Sequence, residues 1–241
     1  MDLKELVQTG ISSRPPRILI FGPHGIGKST FGASAPAPIF LPTEDGLTTI
    51  DIPHFPVATA LPQVWEAIGA LIKENHDYKT FVVDTLDWLE KLIWSAVCEE
   101  HKTDAIEGIG YGKGYNYALT HWDRFIRGLD KLRDKGMAVV LLAHSSIQTY
   151  NPPDNTPYDR HAIKLHKTAS AKIEEWCDAV LFVNYRVFVK TEKGKSSGKA
   201  TGGERILYTS PNPAYKTKNR YGLPEEVDFN FNTLLKEMKN G

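Results

Sequence analysis

Short apolar runs alternate along this chain with longer stretches in which apolar residues recur at three- and four-residue spacing. The alternation predicts an α/β fold, a mostly parallel central sheet flanked by helices. Residues 18–21 form a continuous apolar run and read as a buried strand. Residues 36–41 read as a second, proline-broken strand that ends in a turn carrying Glu44 and Asp45, and 55–58 read as a third. Over 62–74, Val64, Ile68, Leu71 and Ile72 share one helical face, with Pro62 in the first turn. The next strand, 80–84, ends in Asp84. Helices follow over 86–101 and over 117–134, the second with Trp122, Phe125, Ile126 and Leu129 inward. Residues 137–143 form a buried strand that runs out at His144, Ser145 and Ser146. A helix over 168–178 leads into a strand over 179–183. The period then changes to two over 185–189 and again at 205–208, which predicts a C-terminal antiparallel hairpin. Its tip carries Lys193, Lys195 and Lys199. Residues 2–8 and 232–239 read as terminal helices, with a proline-bearing linker completing the N-terminal segment 1–16.

Two stretches follow neither period. Residues 106–115 interleave four glycines with Tyr111, Tyr115 and Lys113. They read as a surface loop, or as a loop that stacks on bases and meets phosphates. Residues 148–167 are polar and proline-bearing, with Arg160, Lys164 and Lys167. A polar loop of this length inside a compact chain is functional or disordered. Further on, Lys216, Lys218 and Arg220 alternate, so an extended backbone would set them on one face. Such a row fits phosphate binding, and it also fits a solvated strand edge.

Composition adds bounds. The 241 residues are 41% hydrophobic and 24% charged, enough for a sizeable core. Net charge is zero, so no global excess calls for nucleic acid. Cys98 and Cys177 lie far apart, match no metal spacing, and suit apolar filler in a reducing cytosol. No signal peptide and no run of membrane-spanning length appears, so a cytoplasmic protein with no membrane partner is expected.

The candidate chemistry centres on the stretch from Gly22 to Thr30, which fits the phosphate-loop pattern G-x-x-x-x-G-K-[ST]. An apolar strand precedes it and a helix can follow. Gly22, Gly25 and Gly27, with Pro23, His24 and Ile26 between them, let backbone N–H groups turn inward onto phosphate oxygens. Lys28 would reach the outer phosphates, Ser29 would ligate Mg2+, and Thr30 would close the loop at the helix start. Asp84, at the end of an apolar strand, is the expected second metal residue, with Thr85 beside it. A polar residue at His144 would sense the terminal phosphate. Read alone, that histidine is equally a strand-end cap.

The order of these elements resembles the RecA-type P-loop NTPase core. It most resembles the small RecA-like ATPases encoded by bacteriophages that act in single-strand annealing and recombination. The resemblance runs over residues 17–231 and is carried by Leu41–Glu44, Val82–Thr85, Leu142–Ser146, Lys172–Asp178 and Lys218–Pro224. It implies an ATPase domain over 17–241 that binds ATP and Mg2+. It implies Glu44 as the carboxylate that orients or deprotonates water, and His144 in the sensor position, where such cores often carry glutamine. It implies Lys218 and Arg220 as cations reaching across a subunit interface to a neighbour's nucleotide. It further implies single-stranded DNA bound by the loops carrying Tyr111, Lys113, Tyr115, Arg160, Lys164 and Lys167. The implied partners are copies of the same chain in a ring or filament, and a single-strand-binding protein, in a bacterial host cell. Two other readings remain: a nucleotide-gated accessory of phage replication or packaging, and a P-loop kinase of a small metabolite. The second is weakened because 148–167 offers a single arginine, Arg160, where kinases close a lid with several.

Overall fold

A computed structural model describes residues 14–190 and 199–240. The expected N-terminal helix at 2–8 and the tip lysines Lys193 and Lys195 lie outside the described residues. Element order is β1 (Arg17–Gly22), α1 (Lys28–Ala33), β2 (Pro38–Pro42), α2 (Leu61–Lys73), β3 (Thr80–Asp84) and α3 (Leu86–His101). After a 3-10 turn at Ile106–Gly108 come α4 (Lys113–Asp134), β4 (Ala138–Tyr150), β5 (Tyr158–Ile163), α5 (Lys167–Trp176) and β6 (Ala179–Lys190). The chain closes with β7 (Lys199–Tyr208), β8 (Lys218–Asn219), β9 (Glu226–Asp228) and α6 (Phe231–Asn240).

The sheet runs in the order β2-β3-β4-β1-β6-β7-β9. The first five strands are parallel, and β7 and β9 add antiparallel. This is the mostly parallel α/β core expected, with the antiparallel hairpin β6–β7 at its C-terminal side. Both faces are covered, which is why the central strands are apolar without alternation. Side chains along β1 point alternately to the two sides. Leu19 and Phe21 join a core with Leu71, Leu89, Trp122 and Ile173, from α2 to α5. Ile18 and Ile20 join the opposite core with Phe31, Phe231 and Leu234, from α1 and α6.

Register then aligns the strand ends. Gly22 pairs with His144, Pro42 with Asp84, and Asp84 with Leu142. The carboxyl ends of β1, β2, β3 and β4 therefore open onto one crevice, the place where open parallel sheets bind ligands.

Three expectations change. Residues 55–58 are not a ladder strand. They lie along β2 through single bonds, Phe55 N–H to Phe40 O at 2.8 Å and Ala58 N–H to Pro42 O at 2.9 Å. Pro53 and Pro56 supply no N–H, so a continuous ladder cannot form there. The polar stretch 148–167 is not a long loop either. Strand β4 continues past His144 to Tyr150 and pairs antiparallel with β5, Gln148 opposite Arg160. Its polar residues mark a hairpin that leaves the buried sheet, and Lys167 opens α5. Finally, α4 begins at Lys113, so Lys113 and Tyr115 are helical and only Tyr111 remains on the loop.

Candidate functional site

The phosphate loop links β1 to α1. Gly25 and Gly27 have φ of 71° and 97°, backbone that L side chains rarely adopt. Gly22 needs its missing side chain for another reason: a Cβ there would stand 2.4 Å from the Val183 carbonyl oxygen of β6. Lys28 is buried, and its ammonium donates to the carbonyls of Gly22 (3.1 Å) and Pro23 (2.9 Å). Burial draws its pKa down to about 8, against the attraction of Asp84, Asp87 and Glu44. Asp84 is buried too. Burial raises its pKa, while a hydrogen bond from Ser29 and the nearby Lys28 oppose the rise. Hydroxyl and carboxylate thus meet at the loop, a hard-oxygen pair of the kind Mg2+ takes alongside phosphate and water. The residues fit a nucleotide with its metal.

Opposite the loop, Glu44 is anchored by its neighbours. The Thr85 hydroxyl donates to Glu44 Oε1 at 3.2 Å. Thr43 ties β2 to β3: its hydroxyl donates to Thr85 O at 2.7 Å and accepts Thr85 N–H at 2.9 Å. His144 Nε2 stands 3.9 Å from Glu44 Oε1. Its ring stacks on His24 of the phosphate loop, with centroids 3.7 Å apart. Burial and the neighbouring His144 lower the His24 pKa. Glu44, Lys28, Ser29, Asp84, His24 and His144 are therefore brought together.

Sequence reading overlooked Asp87. This buried residue in the first turn of α3 accepts the backbone N–H of His144 at 3.1 Å, and its Oδ2 stands 3.0 Å from Nδ1. Burial pushes its pKa up, but the hydrogen bonds and charge of His144 outweigh that and bring it down to about 2. The signal was available in part: an acid three residues past Asp84 points back toward the same strand ends. Arg205 of β7 was also overlooked. Its guanidinium donates to Ile26 O at 3.1 Å and lies over the Phe229 ring. Nothing local in the sequence marks it.

The remaining candidates lie elsewhere. Lys218 pairs with Val180 at the start of β6, the sheet end opposite the phosphate loop. Its ammonium donates to Glu174 O (3.0 Å) and Glu175 O (2.7 Å) in the last turn of α5. Arg220 lies 3.4 Å from Asp178, a carboxylate already held by Arg17 at 2.6 Å and Arg133 at 3.3 Å. Tyr111 is fully exposed. Tyr115 is engaged: its ring stacks on His166 at 3.9 Å, and its hydroxyl donates to Glu107 at 2.5 Å. Arg160 lies over the Tyr150 ring, and Lys164 is exposed with its backbone N–H on His144 O at 2.9 Å. No helix among the described residues is long and apolar enough to cross a membrane.

A family model described as AAA domain matches residues 14–221. An SPbeta prophage-derived uncharacterized protein, YorG, of Bacillus subtilis (strain 168) is 26% identical over 135 residues. That alignment covers 54% of this chain and 41% of YorG, so the chain spans under half the length of this relative. Among solved structures, the RadB recombinase aligns with a TM-score of 0.48 at 15% identity, covering 91% of this chain and 90% of RadB. The flagellar accessory protein FlaH of Methanocaldococcus jannaschii aligns with a TM-score of 0.45 at 10% identity, covering 88% and 85%.

Proposed function

This chain belongs to the AAA domain family, and from that premise we propose a Mg2+-dependent ATPase that binds single-stranded DNA in phage recombination or strand annealing. The observation that carries the reading is buried Lys28 and Asp84, with half-buried Ser29 between them, facing Glu44 and His144 across one crevice. Lys28 exchanges its two carbonyl partners for the outer phosphates of ATP. Ser29 and Asp84 would hold Mg2+, which when bound offsets charge on those phosphates. Glu44, fixed by Thr85, orients the attacking water and takes its proton. His144 lies alongside as the sensor of the terminal phosphate. Arg220, with only a long contact to an already satisfied Asp178, turns to the nucleotide of a neighbouring copy in a ring or filament. Lys218 serves mainly to cap α5.

Tyr111, Lys113, Arg160 and Lys164 contact the DNA backbone and bases, and Tyr115 supports the loop from within. Helix α3 supplies a route between the two functions. Asp87 holds His144, and one turn later Glu90 accepts the backbone N–H of His166 at 2.9 Å. The His166 ring is the one stacked on Tyr115. The prophage-derived relative supports a phage-encoded setting, and a single-strand-binding protein is the further partner of this reading.

The test is ATP hydrolysis with and without oligonucleotide across a salt series. The expected result is turnover raised by single-stranded DNA at low salt, with the gain shrinking as salt rises. Hydrolysis indifferent to DNA at every salt concentration would leave the ATPase and remove the DNA role.

A further inference from the structure

Helices α2 and α4 enclose a groove of about 270 Å³ near their C-terminal ends. Each helix leads into a parallel strand, so their C-terminal ends lie toward the end of the sheet opposite the nucleotide crevice. The groove floor is Trp65, Ile68 and Ile72 of α2, and its rim is Arg124, Arg127 and Lys131 of α4.

The charges of α4 are sorted. Its acidic residues are used within the chain: Asp123 pairs with Lys172 at 2.5 Å, Asp130 accepts Trp176 Nε1 at 3.0 Å, and Asp134 pairs with Arg14. The exposed cations Arg124, Arg127 and Lys131 make no ion pair among the described residues. Their spacing of three and four residues aligns them along one side. A second observation is independent of charge. Gly69 lies in the interior of α2, where glycine is less favourable than alanine. A Cβ there would meet nothing within 4 Å, so packing does not require the glycine. It leaves the groove open.

We propose that this groove docks an acidic peptide segment of a partner protein, with an apolar side chain on the floor and carboxylates on the three cations. Nucleic acid fits less well. The Arg124 guanidinium already covers the Trp65 ring at 4.5 Å, so that ring face does not offer itself to a base, and the apolar side chain is received by Ile68 and Ile72. Arginine matches carboxylate geometry, and an apolar floor adds what an anionic backbone alone would not use.

The probe is a short fluorescein-labelled peptide of aspartates ending in leucine and phenylalanine, titrated against the full chain by anisotropy. Saturable binding at low salt is expected. The paired change Arg127→Glu and Lys131→Glu should weaken it about ten-fold or more. Gly69→Leu, which fills the groove without touching charge, should weaken it too. ATP turnover should be unchanged in both variants, which confirms their folding independently of docking. Absence of saturable binding, or equal binding by both variants, overturns the proposal. So does a charge-reversed variant that loses oligo-dT binding while keeping the peptide, which would assign the groove to nucleic acid.

Discussion

Replacing Asp87 by Asn tests whether the histidine beside Glu44 is held for chemistry. The carboxylate accepts both the backbone N–H and the Nδ1–H of His144, at 3.1 and 3.0 Å, in a buried setting. A carboxylate only accepts, so Nδ1 carries the proton and Nε2 is turned toward Glu44. The drop of the Asp87 pKa from 3.8 to about 2 corresponds to about 2 kcal/mol favouring the ionised form in the folded protein. The sign follows from the depressed value. This stabilisation is present above pH 4 and is lost as pH falls through 3.8 toward 2. Asn keeps an acceptor for one N–H but not the charge, and its amide presents a donor to Nδ1. Losing the charged acceptor that orients His144 should lower kcat about ten-fold, the effect of roughly 1 kcal/mol on the barrier. The KM for ATP should change little, because Lys28 and the loop amides are untouched. The assay is steady-state phosphate release at saturating ATP and Mg2+ for Asp87→Asn, His144→Gln and the double variant. If Asp87 acts through His144, the double variant is no slower than His144→Gln alone. Fully additive losses, or wild-type kcat in Asp87→Asn, would refute the reasoning.

Four further outcomes are expected. Lys28→Ala abolishes measurable turnover, and titration with a fluorescent ATP analogue should show the accompanying loss of affinity. Gly22→Ala sets a methyl 2.4 Å from the Val183 carbonyl oxygen, which should cost about 1–3 kcal/mol in urea unfolding and impair nucleotide binding. Burial lifts the Glu90 pKa from 4.5 to about 7, so its ionisation costs folding stability progressively as pH rises through that window. Glu90→Gln should then match wild type near pH 5 and exceed it by up to about 3 kcal/mol above pH 8; an unchanged gap between these pH values contradicts the assignment. Arg220→Ala should lower turnover with little change in affinity, and mixing it with Lys28→Ala protein should restore activity, since each supplies what the other lacks. Absence of rescue rules out action between copies.

Much of the fold was legible because buried parallel strands and amphipathic helices leave direct periodic signals. The runs ending at Phe21, Asp84 and Ala143, and the helix over 86–101, appear where the pattern put them. The pattern failed where polar residues form regular structure. Strand β4 crosses from the buried sheet into a solvated hairpin at His144, and alternation there is too weak to read. The segment at 55–58 failed for the converse reason: it is extended and apolar, but its prolines deny it a ladder.

By itself the sequence determined the phosphate loop, because glycine spacing, a lysine and a hydroxyl in fixed order constrain local backbone. It likewise marked Asp84 at the end of one strand and Glu44 in the turn that follows another. Only the tertiary structure decided that His144 meets Asp87, His24 and Glu44, that Arg205 braces Ile26, and that Lys218 is committed to α5. It also decided that three cations of α4 rim a groove. Those pairings join residues far apart in the chain through sheet order and register, and no local periodicity encodes which strand end will face which.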